Sequence, residues 1–486
     1  MIAGDRTRVP RRMTAISDFA ATDLLRHYRQ KTLSPVEVMR DILARIERFE
    51  PKINAFVLVD AEGALAAARE SEARWIKGTP VGAADGLPVT VKDNLWLAGF
   101  PTRKGSAVTD TEPAPEDAPA VARLREQGAV FIGKTTMPEF GWIGACHSPL
   151  TGITRNPWRL DRTTGGSSGG AAAAAALNLG VIHLGTDGAG SIRIPAAFSG
   201  VVGIKAHYGR VPSYPASAFT ALAHTGPLTR TVTDAALALS IIAAPDPRDM
   251  TAPNTPAPDY GKKLDLGVHG LRVAFSPRLG FVAGLDPEVE QAVRAAAQVF
   301  ADLGASVEEA DPPLAAAPDI IRTVWGAVSA TIVDAVPPAA QAQMDPGFRA
   351  VAERGRAVSL AAYLETYPAR NALAIAMAAF HDRYDLLLTP QMPIPALEAG
   401  RVTPADGRFG DDWLNWSPYT YPFNLTQQPA ASVPCGFTAG GLPIGLQIVA
   451  PARRDDLVLR AARAYEAARP FVLLTAPRTA PDSVQP

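Results

Sequence analysis

Three short stretches of the chain carry side chains that can move protons or attack a carbonyl carbon. Lys92 closes Leu87-Pro-Val-Thr-Val-Lys92. The paired serines Ser167 and Ser168 lie inside Gly165-Gly-Ser-Ser-Gly-Gly170, and Ser191 lies inside Gly185-Thr-Asp-Gly-Ala-Gly-Ser-Ile-Arg193. A serine hydroxyl becomes a nucleophile when a base takes its proton and hydrogen-bond donors receive the oxyanion created by its attack. Lys92 offers the base. The residues before it suit a strand buried on both faces, whose end opens into a loop-lined cleft, and burial drives a lysine pKa down toward neutrality. The third stretch offers the donors. Gly188, Ala189 and Gly190 let a ligand approach the backbone closely, and successive N–H groups converge on one point beside the Ser191 hydroxyl.

Several familiar motifs are approached and missed. The Gly/Ser run lacks the Gly-Lys-Ser/Thr ending of a phosphate-binding loop, because Ala171 follows Gly170. The same run satisfies Gly-x-Ser-x-Gly, but a nucleophile elbow must follow directly on a strand. Its lead-in, Arg155-Asn-Pro-Trp-Arg-Leu-Asp-Arg162, is polar, contains proline and reads as a poor strand. An esterase of that kind, using Ser167 or Ser168 with His207 or His224, is the competing enzyme reading. Gly188 and Gly190 are followed by Arg193 where a dinucleotide fingerprint needs its third glycine. Cys146 and Cys435 lie far apart and form no metal pattern, so no metal and no cofactor is expected.

The elements that must position these residues alternate. Ser34-Pro-Val-Glu37 caps a helix continued by Val38, Ile42, Leu43 and Ile46 at helical spacing. Strand character at 86–94, 128–133, 181–184, 201–204 and 272–275 is interleaved with helices at 118–127 and 171–179, and strand character returns at 384–388 and 446–449. This order predicts an α/β sheet with helices on both faces. The 486 residues suffice for one large domain with insertions, and a formal net charge of −1 predicts no broad attraction to nucleic acid or membrane. No apolar run is long enough to span a bilayer. The basic stretch Arg6 to Arg12 has no signal-peptide run behind it and reads as a flexible tail. With cysteines in no disulfide framework, the expected compartment is the cytoplasm.

Taken together, the three stretches resemble the amidase signature family. The shared pattern is a lysine after a Leu-Pro-Val-x-Val strand, then Gly-Gly-Ser-Ser-Gly-Gly, then Gly-Thr-Asp leading to Gly-Ser-Ile-Arg, with the family's interval from Ser167 to Ser191. Gly133-Lys-Thr-Thr-Met-Pro-Glu-Phe140, Asn156-Pro-Trp158, Gly226-Pro-Leu-Thr-Arg230, Pro429-Ala-Ala-Ser-Val-Pro-Cys-Gly436 and Gly441-Leu-Pro-Ile-Gly-Leu-Gln447 are similar to the family as well. The resemblance implies a large, twisted mixed β-sheet flanked on both faces by α-helices. It also implies a hydrolase of amide bonds in which Ser191 is the nucleophile and Lys92 the base, with Ser167, held by a cis peptide bond, as the bridge between them. Backbone N–H groups of Gly188, Ala189, Gly190 and Ser191 would form the oxyanion hole, and Thr186, Asp187, Arg193 and Ser168 would hold the loop and the triad from behind.

The family's substrate walls correspond to Phe140, Gly141, Trp142, Tyr214, Phe219 and Gln427, with Trp325, Trp413, Trp416 and Tyr419 as further aromatics. These suit a small hydrophobic or aryl amide, and carbamates and esters fit the same machinery. Ala189, Thr164, Gln427 and Ala206-His207 depart from the usual residues; Ala189 keeps its role only if position 189 avoids positive φ. The amidotransferase A-type subunit of the family carries Ser-Leu-Asp-Gln where this chain has Ala221-Leu-Ala-His224, which argues against a tRNA-linked role. The expected partners are therefore the small substrate alone, in a monomer or homodimer. The expected organisation is one domain over 14–480, between tails at 1–13 and 481–486. Within it run a helical cover at 14–75, the signature core at 76–230, a helical insertion at 287–390 and the returning core at 391–480.

Overall fold

A computed structural model describes residues 15–478. The basic stretch Arg6–Arg12 and the tails expected at 1–13 and 481–486 lie outside the described residues. One mixed sheet of eleven strands runs through the molecule. In chain order the strands are β1 (Phe56–Val59), β2 (Pro88–Lys92), β3 (Val130–Thr135), β4 (Ile182–Asp187), β5 (Val202–Lys205) and β6 (His224–Thr229). They continue with β7 (Arg272–Phe275), β8 (Ser306–Glu309), β9 (Leu386–Pro390), β10 (Ala430–Phe437) and β11 (Pro443–Val449). Across the sheet the order is β1-β3-β2-β4-β6-β5-β10-β11-β9-β7-β8. β2 runs parallel to both β3 and β4, and β7 runs parallel to both β8 and β9; the other neighbours are antiparallel.

Alternation along the strands feeds two cores. Leu386 and Leu388 of β9 face one apolar cluster and Leu387 faces the other, because successive side chains of a strand point to opposite faces. Central strands are covered on both sides, and every residue of β2 is buried, the polar Thr90 and Lys92 included. On one face lies the helix Pro35–Ile53 with Val38, Ile42 and Ile46 turned inward. Its start is a reciprocal cap: the Glu37 N–H donates to Ser34 Oγ at 3.2 Å and the Ser34 N–H to Glu37 Oε2 at 2.8 Å. The other core is roofed by the helices Ala317–Asp334, Pro346–Gly355 and Leu360–Arg383. The helix Gly169–Ala176 is alanine and glycine throughout and buried all round, so it fits where a larger side chain would force neighbouring elements apart.

Three regions differ from the sequence reading. The section at 14–75 is not only helical: β1 pairs antiparallel with β3 and forms one edge of the sheet. The insertion at 287–390 supplies β8, a polar strand with three exposed residues that closes the other edge. β8 buries little and so lacks the apolar signature of central strands, whereas β1 is apolar but only four residues long, a run that periodicity does not separate from helix. The lead-in to the Gly/Ser run does contain a strand, Arg159–Thr163. It pairs with Arg155–Asn156 in a separate two-stranded hairpin and bridges to Glu398 through Arg162, outside the main sheet.

Candidate active site

The C-terminal end of β2 places Lys92 at the centre of a polar cluster, with its side chain fully buried. Lys92 Nζ lies 2.7 Å from Ser167 Oγ, 2.9 Å from Ser168 Oγ and 2.9 Å from Thr186 Oγ1. Burial pushes its pKa down to about 7, with Cys146 and Asp187 opposing the shift only partly. A neutral amine keeps one lone pair, and the Ser167 hydroxyl is placed to donate to it. Ser167 follows a cis peptide bond from Gly166. A side chain at Gly166 would meet the Ala145 carbonyl at 2.2 Å, so that contact admits only glycine. The two serine loops are tied together: the Ser168 N–H donates to the Ser191 carbonyl at 3.0 Å. Ser168 Oγ donates to the Thr186 carbonyl at 3.1 Å, and Asn94 Nδ2 donates to Thr186 Oγ1 at 2.9 Å.

Asp187 organises the Ser191 loop from within. Its Oδ1 accepts from the Gly190 N–H at 2.8 Å and its Oδ2 from the Ile192 N–H at 3.1 Å. Arg193 meets both oxygens at 3.0 Å, with both side chains shielded from solvent. Burial alone would raise the carboxyl pKa; the Arg193 guanidinium outweighs it and holds Asp187 well below the usual carboxylate range. Arg193 is in turn held by Asn424 Oδ1 at 2.6 Å, Gln447 Oε1 at 2.8 Å and the Thr420 carbonyl at 2.9 Å. Only Gln447 lies in a stretch picked out in the sequence. Thr420 and Asn424 carry no local motif and are found only through their contacts.

The oxyanion-hole expectation changes at one position. The Gly190 N–H is committed to Asp187, whereas the N–H groups of Gly188, Ala189 and Ser191 make no hydrogen bond within the described protein. Ala189 does not take positive φ; that conformation falls on Gly190, at φ 121°. A Cβ at Gly190 would lie 2.5 Å from Thr420 Cβ, while one at Gly188 would find Trp325 no nearer than 3.7 Å.

A cavity of about 440 Å³ opens over these loops and is lined by Ser167, Thr186, Asp187, Gly188 and Ser191. Phe140, Gly141, Tyr214, Phe219 and Trp325 contribute apolar wall, together with Ile332 and Val336, which sequence reasoning missed. Phe219 stacks on Trp325 with ring centroids 4.2 Å apart, and Trp96 meets the Tyr214 ring edge-on at 5.7 Å. Trp142, Gln427, Trp413, Trp416 and Tyr419 do not line the cavity. Trp142 stacks on Phe348 beneath the roof helices, and Gln427 donates from Nε2 to the Ala221 carbonyl at 3.3 Å. The other three are buried in the roofed core. Rings of this size are as readily used for core as for wall, and sequence alone does not separate the two.

Neither histidine of the competing reading pairs with a serine. His207 Nδ1 lies 2.5 Å from Asp455 in a separate, larger depression that contains none of Lys92, Ser167 and Ser191. His224 lines the cavity, but its Nδ1 faces the Leu222 and Asp187 carbonyls at 2.8 and 3.1 Å. Burial, then Lys205, hold its pKa well below the usual histidine range. Ser167 and Ser168 are both bonded to Lys92 instead. Among the described residues no group of three His, Cys, Asp or Glu side chains is arranged to hold a metal ion. No helix among them is long and apolar enough to cross a membrane.

A family model described as Amidase matches residues 37–459. The chain belongs to the amidase family. It is 37% identical over 491 residues to the A-type component of the glutamyl-tRNA(Gln) amidotransferase of Myxococcus xanthus, covering 95% of this chain and 99% of that one. It is 36% identical over 458 residues to an acylamidase of Rhodococcus erythropolis, covering 93% and 96%. The crystal structure of a bacterial aryl acylamidase of the amidase signature enzymes superposes with a TM-score of 0.86 at 29% identity, over 93% of this chain and 96% of the other. The protein is thus an amidase signature hydrolase of amide C–N bonds, on a fold shared with that enzyme.

Proposed function

We propose that this amidase hydrolyses a small amide with a hydrophobic or aryl group through an acyl-enzyme on Ser191. The observation that carries the reading is a buried lysine, brought near neutrality, 2.7 Å from Ser167 in the cavity that also holds Ser191. Ser191 Oγ attacks the carbonyl carbon while its proton passes to Ser167, whose own proton passes to neutral Lys92. The carbonyl oxygen becomes an oxyanion facing the unpaired N–H groups of Gly188, Ala189 and Ser191, donors of a kind each worth on the order of 3 kcal/mol in the transition state. The relay then runs backward. Lys92 returns a proton through Ser167 to the departing nitrogen, the C–N bond breaks, and the acyl group stays on Ser191 until water, deprotonated by the same relay, releases it as the acid. Ser168 and Thr186 fix the lysine, and Asp187 with Arg193 fixes the donor loop.

The aromatic wall around Tyr214, Phe219 and Trp325 supports an apolar or aryl group on the substrate. Carbamates and esters present the same carbonyl to the same donors and fall within this reading. A-type components of tRNA-linked amidotransferases are also among the relatives, but the segment Ala221–His224 favours an enzyme that works on a small molecule without a tRNA-linked partner, and the free cysteines Cys146 and Cys435 suit the reducing cytoplasm. Incubation with an anilide, acid quench and peptide mapping should find the acyl mass on the peptide that contains Ser191. The purified chain should turn over that anilide with no second protein. An adduct on Ser167 or Ser168, or activity only when other proteins are added, would refute the assignment. A panel of anilides, aliphatic amides, carbamates and esters then ranks the leaving groups.

A further inference from the structure

The cavity over Ser191 carries an unbalanced charge. Asp187 lines it but is spent on Arg193 at 3.0 Å, and His224 is held neutral by its burial. Lys104 also lines the cavity, is exposed, and has no carboxylate oxygen within 4.0 Å among the described residues. Its neighbour Lys134 differs in this respect, being buried and paired with Asp93 at 3.2 Å. Arg103, next in sequence, also lacks a carboxylate: its guanidinium turns to Thr109 Oγ1 at 3.2 Å and the Ser106 carbonyl at 3.3 Å.

The position of Lys104 is built. Its backbone is left-handed, at φ 51°, a conformation that costs a non-glycine residue on the order of 1 kcal/mol or more. Two hydrogen bonds hold it there: its N–H donates to the Asp93 carbonyl at 3.1 Å and its carbonyl accepts from the Phe140 N–H at 2.8 Å. Asp93 directly follows Lys92, and Phe140 lines the cavity, so the Cα of Lys104 is fixed to the frame that carries the chemistry. The next residue, Gly105, has no room for a side chain, since a Cβ would meet the Met137 carbonyl at 2.4 Å. Much of the wall of the cavity that Lys104 shares is apolar, with Trp96, Tyr214, Ile332 and Val336 among its members.

We infer that the substrate carries a carboxylate at the far end of its apolar group, and that Lys104 pairs with it. Lys104 is thereby a specificity-determining residue rather than a catalytic one. The inference rests on the amidase reading above. Because the ammonium is solvated, the pair adds modestly to binding, about threefold to fivefold in kcat/KM, and weakens with salt.

Two matched pairs of substrates test it, one for each side of the scissile bond. On the acyl side, the mono-4-nitroanilide of adipic acid is compared with hexanoyl 4-nitroanilide. On the amine side, the hexanoyl amide of 4-aminobenzoate is compared with that of aniline. In at least one pair the carboxylate member should have the higher kcat/KM, by about threefold to fivefold. That ratio should fall toward one in Lys104→Gln and in 1 M salt, and below one in Lys104→Glu. Circular dichroism and the denaturant midpoint report that the variants are folded. Equal or better cleavage of the neutral members by the unaltered enzyme, or a ratio unmoved by Lys104→Gln, overturns the inference and leaves the amidase reading intact. If no member of either pair is cleaved, both readings fall.

Discussion

The loop Gly185–Arg193 is held by charge and directed hydrogen bonds, whereas the wall facing it is held by ring packing. Within the loop, Asp187 satisfies three backbone donors and the Arg193 guanidinium, and Arg193 satisfies three groups from the C-terminal part of the chain. Across the cavity, residues 213–219 meet the helix Ala317–Asp334 through the Phe219–Trp325 stack, and Tyr214 lies between Trp96 and the Arg248 guanidinium. Directed bonds tolerate little displacement, since an orphaned buried charge costs several kcal/mol. Apolar contacts tolerate exchange of side chains of similar volume. The difference separates a part of the site that must keep its geometry from one that can change its substrate.

The comparison breaks most visibly on the side of the chemistry. Ser191→Ala and Lys92→Met should each lower kcat by about a thousandfold or more with the fold retained, because the members of a relay act as a unit. Rates on an anilide, with circular dichroism as the control, check this. In the proposed relay of the unaltered enzyme the base must be neutral, and burial brings Lys92 to about 7. The rate should therefore rise with pH through neutrality, fall about tenfold per unit below about pH 6, and level off at mildly alkaline pH. A rate that stays flat down to pH 5 would remove Lys92 from the role of base.

The bonded loop should also fail first in stability. Arg193→Met leaves Asp187 buried without its counter-charge and should cost about 3–5 kcal/mol in denaturant unfolding. A near-neutral result would show that Asn424 and the loop donors suffice for Asp187. Two glycines sharpen the same point. Gly190→Ala forces positive φ and a 2.5 Å approach to Thr420, and should cost about 2–4 kcal/mol together with most of the activity. Gly188→Ala, one step from the wall, should be nearly neutral in unfolding. On the packed side, Phe219→Leu should shift unfolding by only about 1 kcal/mol, through loss of the aromatic pair. It should act mainly on KM for aryl substrates, by a few fold, and comparison of anilides with aliphatic amides would reveal it.

Parts of this site are legible in the chain. The strand that ends at Lys92 shows in a continuous run of residues suited to full burial, and the serine loops show in glycines required by close backbone approach. The rest is not legible, for identifiable reasons. The edge strand β8 lacks the apolar pattern that burial imposes, and β1, Phe-Val-Leu-Val, is apolar but too short for periodicity to separate it from the helices around it. The hairpin at 155–163 hides behind polar residues and a proline. Trp142 and Phe219 are both large aromatics packed under the roof helices, yet only Phe219 also reaches the cavity, a difference that depends on where the fold leaves space beside each ring.

The sequence by itself determined the local conformations: where the backbone must turn without a Cβ, where a strand is buried, and which side chains can exchange protons. Only the tertiary structure decided which of these meet. Arg193 reaches Thr420 and Asn424 more than 220 positions away, and Asp187 takes the Gly190 N–H out of the set of donors proposed for the oxyanion. Local patterns reflect steric and solvation preferences that each residue carries with it. Pairings between distant residues depend on how the sheet folds back, and the Lys92 pKa depends on how much water that folding excludes.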